Sequence, residues 1–301
     1  MSAEPAIPTA TQQAEYNGNS RFGTTGSSVF AASPARSILA PATSEPLASE
    51  WQRGFHSRVR LTAATLLDAR GAPALFAGID IRMDEGWKTY WQSPGDGGGI
   101  PPEFDWSRSQ NVRALTVRYP APQRLKDAYG TSIGYITQVL FPVEVIPLDP
   151  ARPVRLRLAM HFGVCDDICI PAEATLALDV APGARASVPV QRALSEALAA
   201  VPEAVALEAL AVSLQNDAGG RHLMVTLGAE APAVIGDLFA RAPGGISLPV
   251  PKRIETPVGD RRWRIDLGHA GAAAKIVGAP VDFTLVGGQR GWLTRRTISG
   301  D

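Results

Sequence analysis

Cysteine is nearly absent from this chain: Cys165 and Cys169 are the only two among 301 residues. A dense disulfide framework is thereby excluded, and a zinc site built on this pair would need further ligands. The four histidines, His56, His161, His222 and His269, are scattered without zinc-type spacing, so no metal is expected. Charge of one sign is missing as well. The 29 basic and 29 acidic residues cancel to zero, which leaves no electrostatic reason for a polyanionic partner and argues against nucleic-acid binding. No run approaches the roughly 18 apolar residues of a membrane span, so any work at a membrane goes through a partner. A C-x-x-C motif, a nicotinamide or flavin fingerprint and a positioned carboxylate pair of the glycosidase kind are all lacking. No cofactor is expected beyond the cysteine pair.

What remains is a chain with 45% hydrophobic and 19% charged residues, the composition of a soluble globular protein, and long enough for two cored domains. Residues 1–50 are rich in Ala, Ser, Thr, Pro and Gly and carry almost no periodic apolar pattern, which predicts a disordered segment. No secretory signal is expected within them, because the apolar stretch near Val29 is interrupted by Ser33, Pro34 and Arg36. From Trp51 the pattern becomes period two. Leu75, Ala77, Ile79, Ile81 and Met83 alternate with Phe76, Gly78, Asp80, Arg82 and Asp84, and the same alternation recurs from Val139, from Val154 and from Leu176. Short alternating strands separated by Gly, Pro and Asp turns predict a mainly β antiparallel sandwich over 51–181. Residues 182–203 read as a linker and a short helix on Val190, Leu194, Ala197, Leu198 and Val201. A second sandwich is expected over 204–301, with strands through Val225, Ile265 and Phe283.

The cysteines lie between the last two strands of the first sandwich. A disulfide needs Cα atoms about 4.4–6.8 Å apart, whereas residues four apart on an extended strand lie roughly 13 Å apart. To be bridged they require a break in the strand, and Asp166-Asp167 supplies turn-forming residues. So short a loop removes little unfolded-chain entropy. Spacing alone leaves two readings open, a static disulfide and an exchangeable one. Asp166 and Asp167 also set negative charge beside the sulfurs, which disfavours a thiolate unless they point to solvent. Upstream, Gly86–Pro102 combines Trp87, Tyr90 and Trp91 with a glycine run, which predicts a shaped loop. Its aromatics are either a wall beside the cysteines or anchors of the sandwich core.

Taken together, Gly86-Trp87-Lys88-Thr89-Tyr90-Trp91, Ser93-Pro94-Gly95-Asp96, Phe104-Asp105-Trp106, Tyr129-Gly130, Gly134-Tyr135 and Cys165-(x3)-Cys169-Ile170-Pro171-Ala172-Glu173-Ala174 resemble the periplasmic amino-terminal domain of DsbD-type thiol:disulfide interchange proteins. The likeness is nearest to their ScsB-like branch. It covers 51–181 best, and the second β region looks like the second sandwich of that branch. The resemblance implies immunoglobulin-like sandwiches and a redox-active pair at Cys165 and Cys169, in a protein-disulfide reductase component of the periplasm. It implies a thioredoxin-like or membrane-embedded thiol donor of electrons, and periplasmic protein disulfides as acceptors. Trp87, Tyr90, Trp91 and Tyr129, with Asp166 and Asp167, become candidates for shielding the sulfurs or touching partners. Ala128 falls where the better-known form has a capping aromatic. Because the chain ends at Asp301 without membrane helices or a thioredoxin-like domain, the electrons are expected from another polypeptide. The competing expectation is a non-enzymatic binding module whose disulfide is static.

Overall fold

The computed structural model describes residues 47–127, 130–242, 246–255, 261–268, 275–288 and 290–300. In the first half run β1 (Gln52–Gly54), β2 (Ser57–Leu67), β3 (Pro73–Met83), β4 (Lys88–Gly95), β5 (Glu103–Asp105) and β6 (Val112–Val117). They are followed by β7 (Gln123–Asp127), β8 (Gly130–Ile136), β9 (Gln138–Pro147), β10 (Val154–Cys165) and β11 (Cys169–Val180). One sheet has the order β1-β2-β3-β9-β6; the facing sheet has the order β11-β10-β4-β8-β7, with β5 paired to β10. Period-two alternation turns Leu61, Ile79, Phe141, Leu156, Leu158, Met160 and Phe162 into a shared core. Burying each large aliphatic or aromatic side chain contributes about 1.5–3 kcal/mol.

The expected onset of structure at Trp51 is four residues late. Leu47 is 6% exposed within the first core, and its carbonyl accepts from the Ala63 amide at 2.7 Å while Ser49 donates to the Leu61 carbonyl. One apolar residue in a Ser/Pro-rich stretch makes no periodic pattern, so this edge contact has no signature in the sequence. The rest of the segment expected to be disordered, residues 1–46, lies outside the described residues.

Helix α1 (Val188–Ala199) starts at Ser187, whose hydroxyl accepts from the Val190 amide, with Pro189 in the first turn. It packs on the outer face of β2, β3 and β9. Gly78 makes this possible, since a Cβ there would lie 2.8 Å from Leu194 Cδ2 and 2.7 Å from Thr62 Oγ1. Both faces of β3 are therefore buried at its centre, where a half-buried strand was expected.

The second half contains β12 (Glu203–Ala204), β13 (Leu210–Asp217), β14 (Gly220–Leu227), β15 (Asp237–Arg241), β16 (Lys252–Ile254), β17 (Arg261–Asp266), β18 (Pro280–Gly287) and β19 (Arg290–Thr297). They form sheets of order β12-β19-β18-β15 and β13-β14-β17-β16 around Val225, Trp263, Ile265, Phe283 and Leu285. The two halves are joined by more than the linker. Phe239 and Val250 from the second half sit in the first core. Arg124 on β7 donates to both carboxylate oxygens of Asp237, at 2.7–2.9 Å, and to the carbonyls of Leu238 and Pro251. Asp96 accepts from the Val250 amide at 3.0 Å. No helix among the described residues is long and apolar enough to cross a membrane.

Candidate functional site

β10 and β11 form a long antiparallel hairpin whose register runs from Val154 opposite Val180 to Cys165 opposite Cys169. Asp166, Asp167 and Ile168 make the turn, closed by the Asp166 amide donating to the Ile168 carbonyl at 3.2 Å. The cysteines are thus the last cross-strand pair before the turn, with a Cα–Cα distance of 4.2 Å and a disulfide between them. A register slip of one residue would send one sulfur to the opposite face, so the hydrophobic pattern of the hairpin also sets the redox pair.

Alternation decides the face. Phe162 and Val164 enter the core, so Gly163 and Cys165 project to the outer side of the sheet, and Cys169 and Pro171 do likewise from β11. Further along β10 that outer face is open at Arg155 and His161, yet Gly163 and Cys165 are buried. The cover comes from Tyr90 and the segment after β4. The Tyr90 ring lies against Gly163, where a Cβ would sit 3.1 Å from Cε2, and against Gly99, where a Cβ would sit 2.4 Å from the ring. Gly99 also has φ +140°, a conformation that disfavours any side chain. Gly163 donates its amide to the Ile100 carbonyl at 2.9 Å, and Gly97 donates to the Thr131 carbonyl. These bonds hold the glycine segment over the ring. The Tyr90 hydroxyl reaches Cys169 Sγ at 3.3 Å, and a disulfide sulfur has no proton, so the hydroxyl is the donor.

The two cysteines differ in exposure. Cys165 is 1% exposed, wedged between β11 and β4, where its strand partner is Lys88. Cys169 is exposed on the edge strand β11. Ile168 beside it is 71% exposed.

Among the residues singled out from sequence, Cys165, Cys169 and Tyr90 come together. Asp166 and Asp167 are exposed in the turn. Trp87 packs elsewhere in the neighbourhood: its ring stacks on His56 at 4.1 Å with Phe55 edge-on, and His56 Nδ1 pairs with Asp84 at 2.6 Å. Trp91 is a correction. It alternates with Tyr90 on β4, so it points into the core and meets Phe239 at 6.2 Å, away from the sulfur face. Tyr129 and Ala128 lie outside the described residues. The expected loop over Gly86–Pro102 is also corrected, because Lys88–Gly95 is a strand paired with β8, which leaves Gly86 and Trp87 in the turn before it and the residues after Gly95 as the loop. Thr, Tyr and Trp favour a pleated, buried surface, and this outweighs the nearby glycines. Sequence reasoning missed Lys88, which is 7% exposed on the sulfur face; a single lysine among aromatics reads as a solvent-facing residue until its strand partner is known.

Residues 66–181 match the family model described as "Thiol:disulfide interchange protein DsbD, N-terminal", so the resemblance read from the motifs holds over that segment. A search of curated proteins returns no match. Among solved structures, the chain is similar to the N-terminal periplasmic domain of ScsB from Proteus mirabilis, at 22% identity and a TM-score of 0.64. The match covers 85% of this chain and 100% of that one. So large a share extends the fold likeness beyond the first sandwich into the second.

Proposed function

We propose that this protein is a thiol:disulfide exchange relay working through Cys165 and Cys169, taking electrons from a thioredoxin-like or membrane-embedded dithiol and passing them to protein disulfides in the periplasm. The observation that carries the reading is the asymmetric disulfide at the hairpin end, with an exposed Cys169 and a buried Cys165. The match to a thiol:disulfide interchange family supports the chemistry. The location rests on the likeness to the ScsB domain, which is a periplasmic one.

Access sets the order of events. A donor thiolate attacks Cys169 Sγ, the S–S bond breaks, and its electron pair remains on the Cys165 sulfur. The donor's second thiol then attacks its own sulfur in the mixed disulfide and releases Cys169 as a thiolate. This leaves the donor oxidised and the relay reduced. In the second half, the Cys169 thiolate attacks an acceptor disulfide and expels one acceptor thiol. Cys165 then attacks Cys169 Sγ, which restores the original disulfide and frees the second acceptor thiol. Tyr90 donates to Cys169 in the oxidised state, and its ring, held by Gly99 and Gly163, bars water and small thiols from one side.

A redox titration of the purified protein tests this. An exchange relay should be reduced by a thioredoxin-like dithiol and should titrate within the range of cellular dithiols. Resistance to reduction down to potentials below about −300 mV, the range of structural disulfides, would instead identify a static bond in a binding module.

A further inference from the structure

We propose that the second sandwich braces the cover over the disulfide, and that Asp96 is the positioning residue through which it does so. This inference rests on the exchange reading above and adds to it what governs access to the sulfurs.

The brace is the connector over residues 248–251, Leu248-Pro249-Val250-Pro251. It spans the two cores, with Leu248 buried in the second and Val250 in the first. The prolines on either side of Val250 fix their own φ at about −65°, so the connector is stiff before anything packs on it. Neither proline has an amide N–H, which leaves Val250 as the single backbone donor of residues 249–251. That donor goes to Asp96 Oδ1 at 3.0 Å. The next carbonyl, that of Pro251, accepts from Arg124 of β7 at 2.6 Å. The connector is thus tied to the first sandwich at two successive residues.

Asp96 stands where the cover begins. It follows Gly95, the last residue of β4, and opens the segment 96–100 that lies against the Tyr90 ring. Gly95 has φ +88°, and a Cβ there would lie 2.8 Å from Val250 Cγ2. Val250 therefore packs on the entry to the segment as well as donating to it. Further along, the Gly97 amide is held by the Thr131 carbonyl and the Ile100 carbonyl by the Gly163 amide. Gly98 and Gly99, between these two bonds, are exposed and have no side chain to anchor them. Three successive glycines lose much conformational freedom when ordered, which favours local opening of this segment. Its near end is secured by the bond to Thr131 and by the brace. Release of Asp96 raises the population in which the segment lifts from Tyr90, and the sulfurs then become reachable from the side that the ring bars.

The test is the rate at which dithiothreitol reduces the disulfide of the full chain under native conditions, read by maleimide trapping of the thiols formed. Asp96→Ala should quicken reduction about fivefold, the change in local opening that one lost hydrogen bond brings. Asp96→Asn keeps an oxygen to accept from Val250 and should stay within about twofold of the unaltered chain. Asn111→Ala is the control. Asn111 donates to the carbonyls of Asp149, Arg152 and Pro153, at the end of the β10–β11 hairpin far from the sulfurs. Its loss should lower the melting temperature and leave the rate unchanged. An Asp96→Ala rate equal to that of the unaltered chain overturns the proposal. Equal quickening in Asn111→Ala also overturns it, because the effect would then be general loosening. Should Asp96→Ala fail to fold, Val250→Ala, which keeps the amide and removes the methyl against Gly95, is read by the same criterion. The exchange reading is judged apart from these rates, by the midpoint potential of the unaltered chain. A potential in the range of structural disulfides would end that reading and leave the rates to decide on the brace.

Discussion

Replacing either cysteine should separate transfer from stability. The bridge closes a loop of only about five residues, since the cysteines are four apart in sequence. The chain-entropy relation gives about 2 kcal/mol for such a loop, against about 3 kcal/mol for fifteen residues. The ladder from Val154–Val180 to Val164–Ile170 remains to hold the hairpin once the bond is gone. Cys165→Ala also empties the space of a buried sulfur, adding about 1 kcal/mol, and Cys169→Ala, at an exposed site, adds little. For a chain of this size about 2–3 kcal/mol lowers the melting temperature by about 4–12 °C. Both variants should therefore fold, and neither should complete a transfer cycle. They should differ in capture. Cys165→Ala keeps the exposed sulfur, whose thiolate should attack the disulfide of a protein acceptor, expel one acceptor thiolate and, with no Cys165 to resolve it, accumulate as a mixed disulfide on a non-reducing gel, whereas Cys169→Ala should not. A loss above about 5 kcal/mol in both variants, or equal capture by the two, would refute the reasoning from loop size and access.

Gly99→Ala adds a Cβ that would overlap the Tyr90 ring at a φ of +140°, and should cost about 1–3 kcal/mol. Reduction by dithiothreitol should then quicken, and an unaltered rate beside the lost stability would show that the ring does not shield the sulfurs. Asp237→Ala strips Arg124 of its carboxylate, with the two side chains 23% and 31% exposed. About 1 kcal/mol is expected after solvent screening, read as a lower urea midpoint. Asp217 in the second sandwich is held down to about 2 from 3.8 by hydrogen bonds from the Arg264 guanidinium and then the Gly219 amide. A depressed carboxyl favours the folded state above its unfolded pKa, so this contribution should fade as pH falls from about 4 to about 2. Asp217→Asn should flatten the acid limb of the stability curve in that window, and an unchanged limb would show that Arg264 gains nothing from this carboxylate in the folded state.

Much of the fold is written locally. The alternation of Leu75–Met83, Val154–Met160 and Leu176–Val180 needs nothing beyond the chain itself, and it predicts β3, β10 and β11 because a strand has only two faces. The break at Asp166-Asp167 is equally local, so a turn between the cysteines follows from turn chemistry and from the reach of a disulfide. The helix at Val188–Ala199 follows from its apolar spacing. Tertiary structure decided the rest. Glycines after Tyr90 suggest a loop, but pairing with β8 keeps the chain extended as far as Gly95. Alternation states that Tyr90 and Trp91 face opposite ways and leaves open which one meets the sulfurs; the packing of Trp91 on Phe239 of the second sandwich settles it. The helix could have lain anywhere until Gly78 opened a space for Leu194. Lys88 gains its place beside Cys165 only when two strands distant in sequence come into register. Side-chain direction is a property of one strand, readable residue by residue, whereas neighbourhood across a sheet is a long-range pairing that no local pattern encodes.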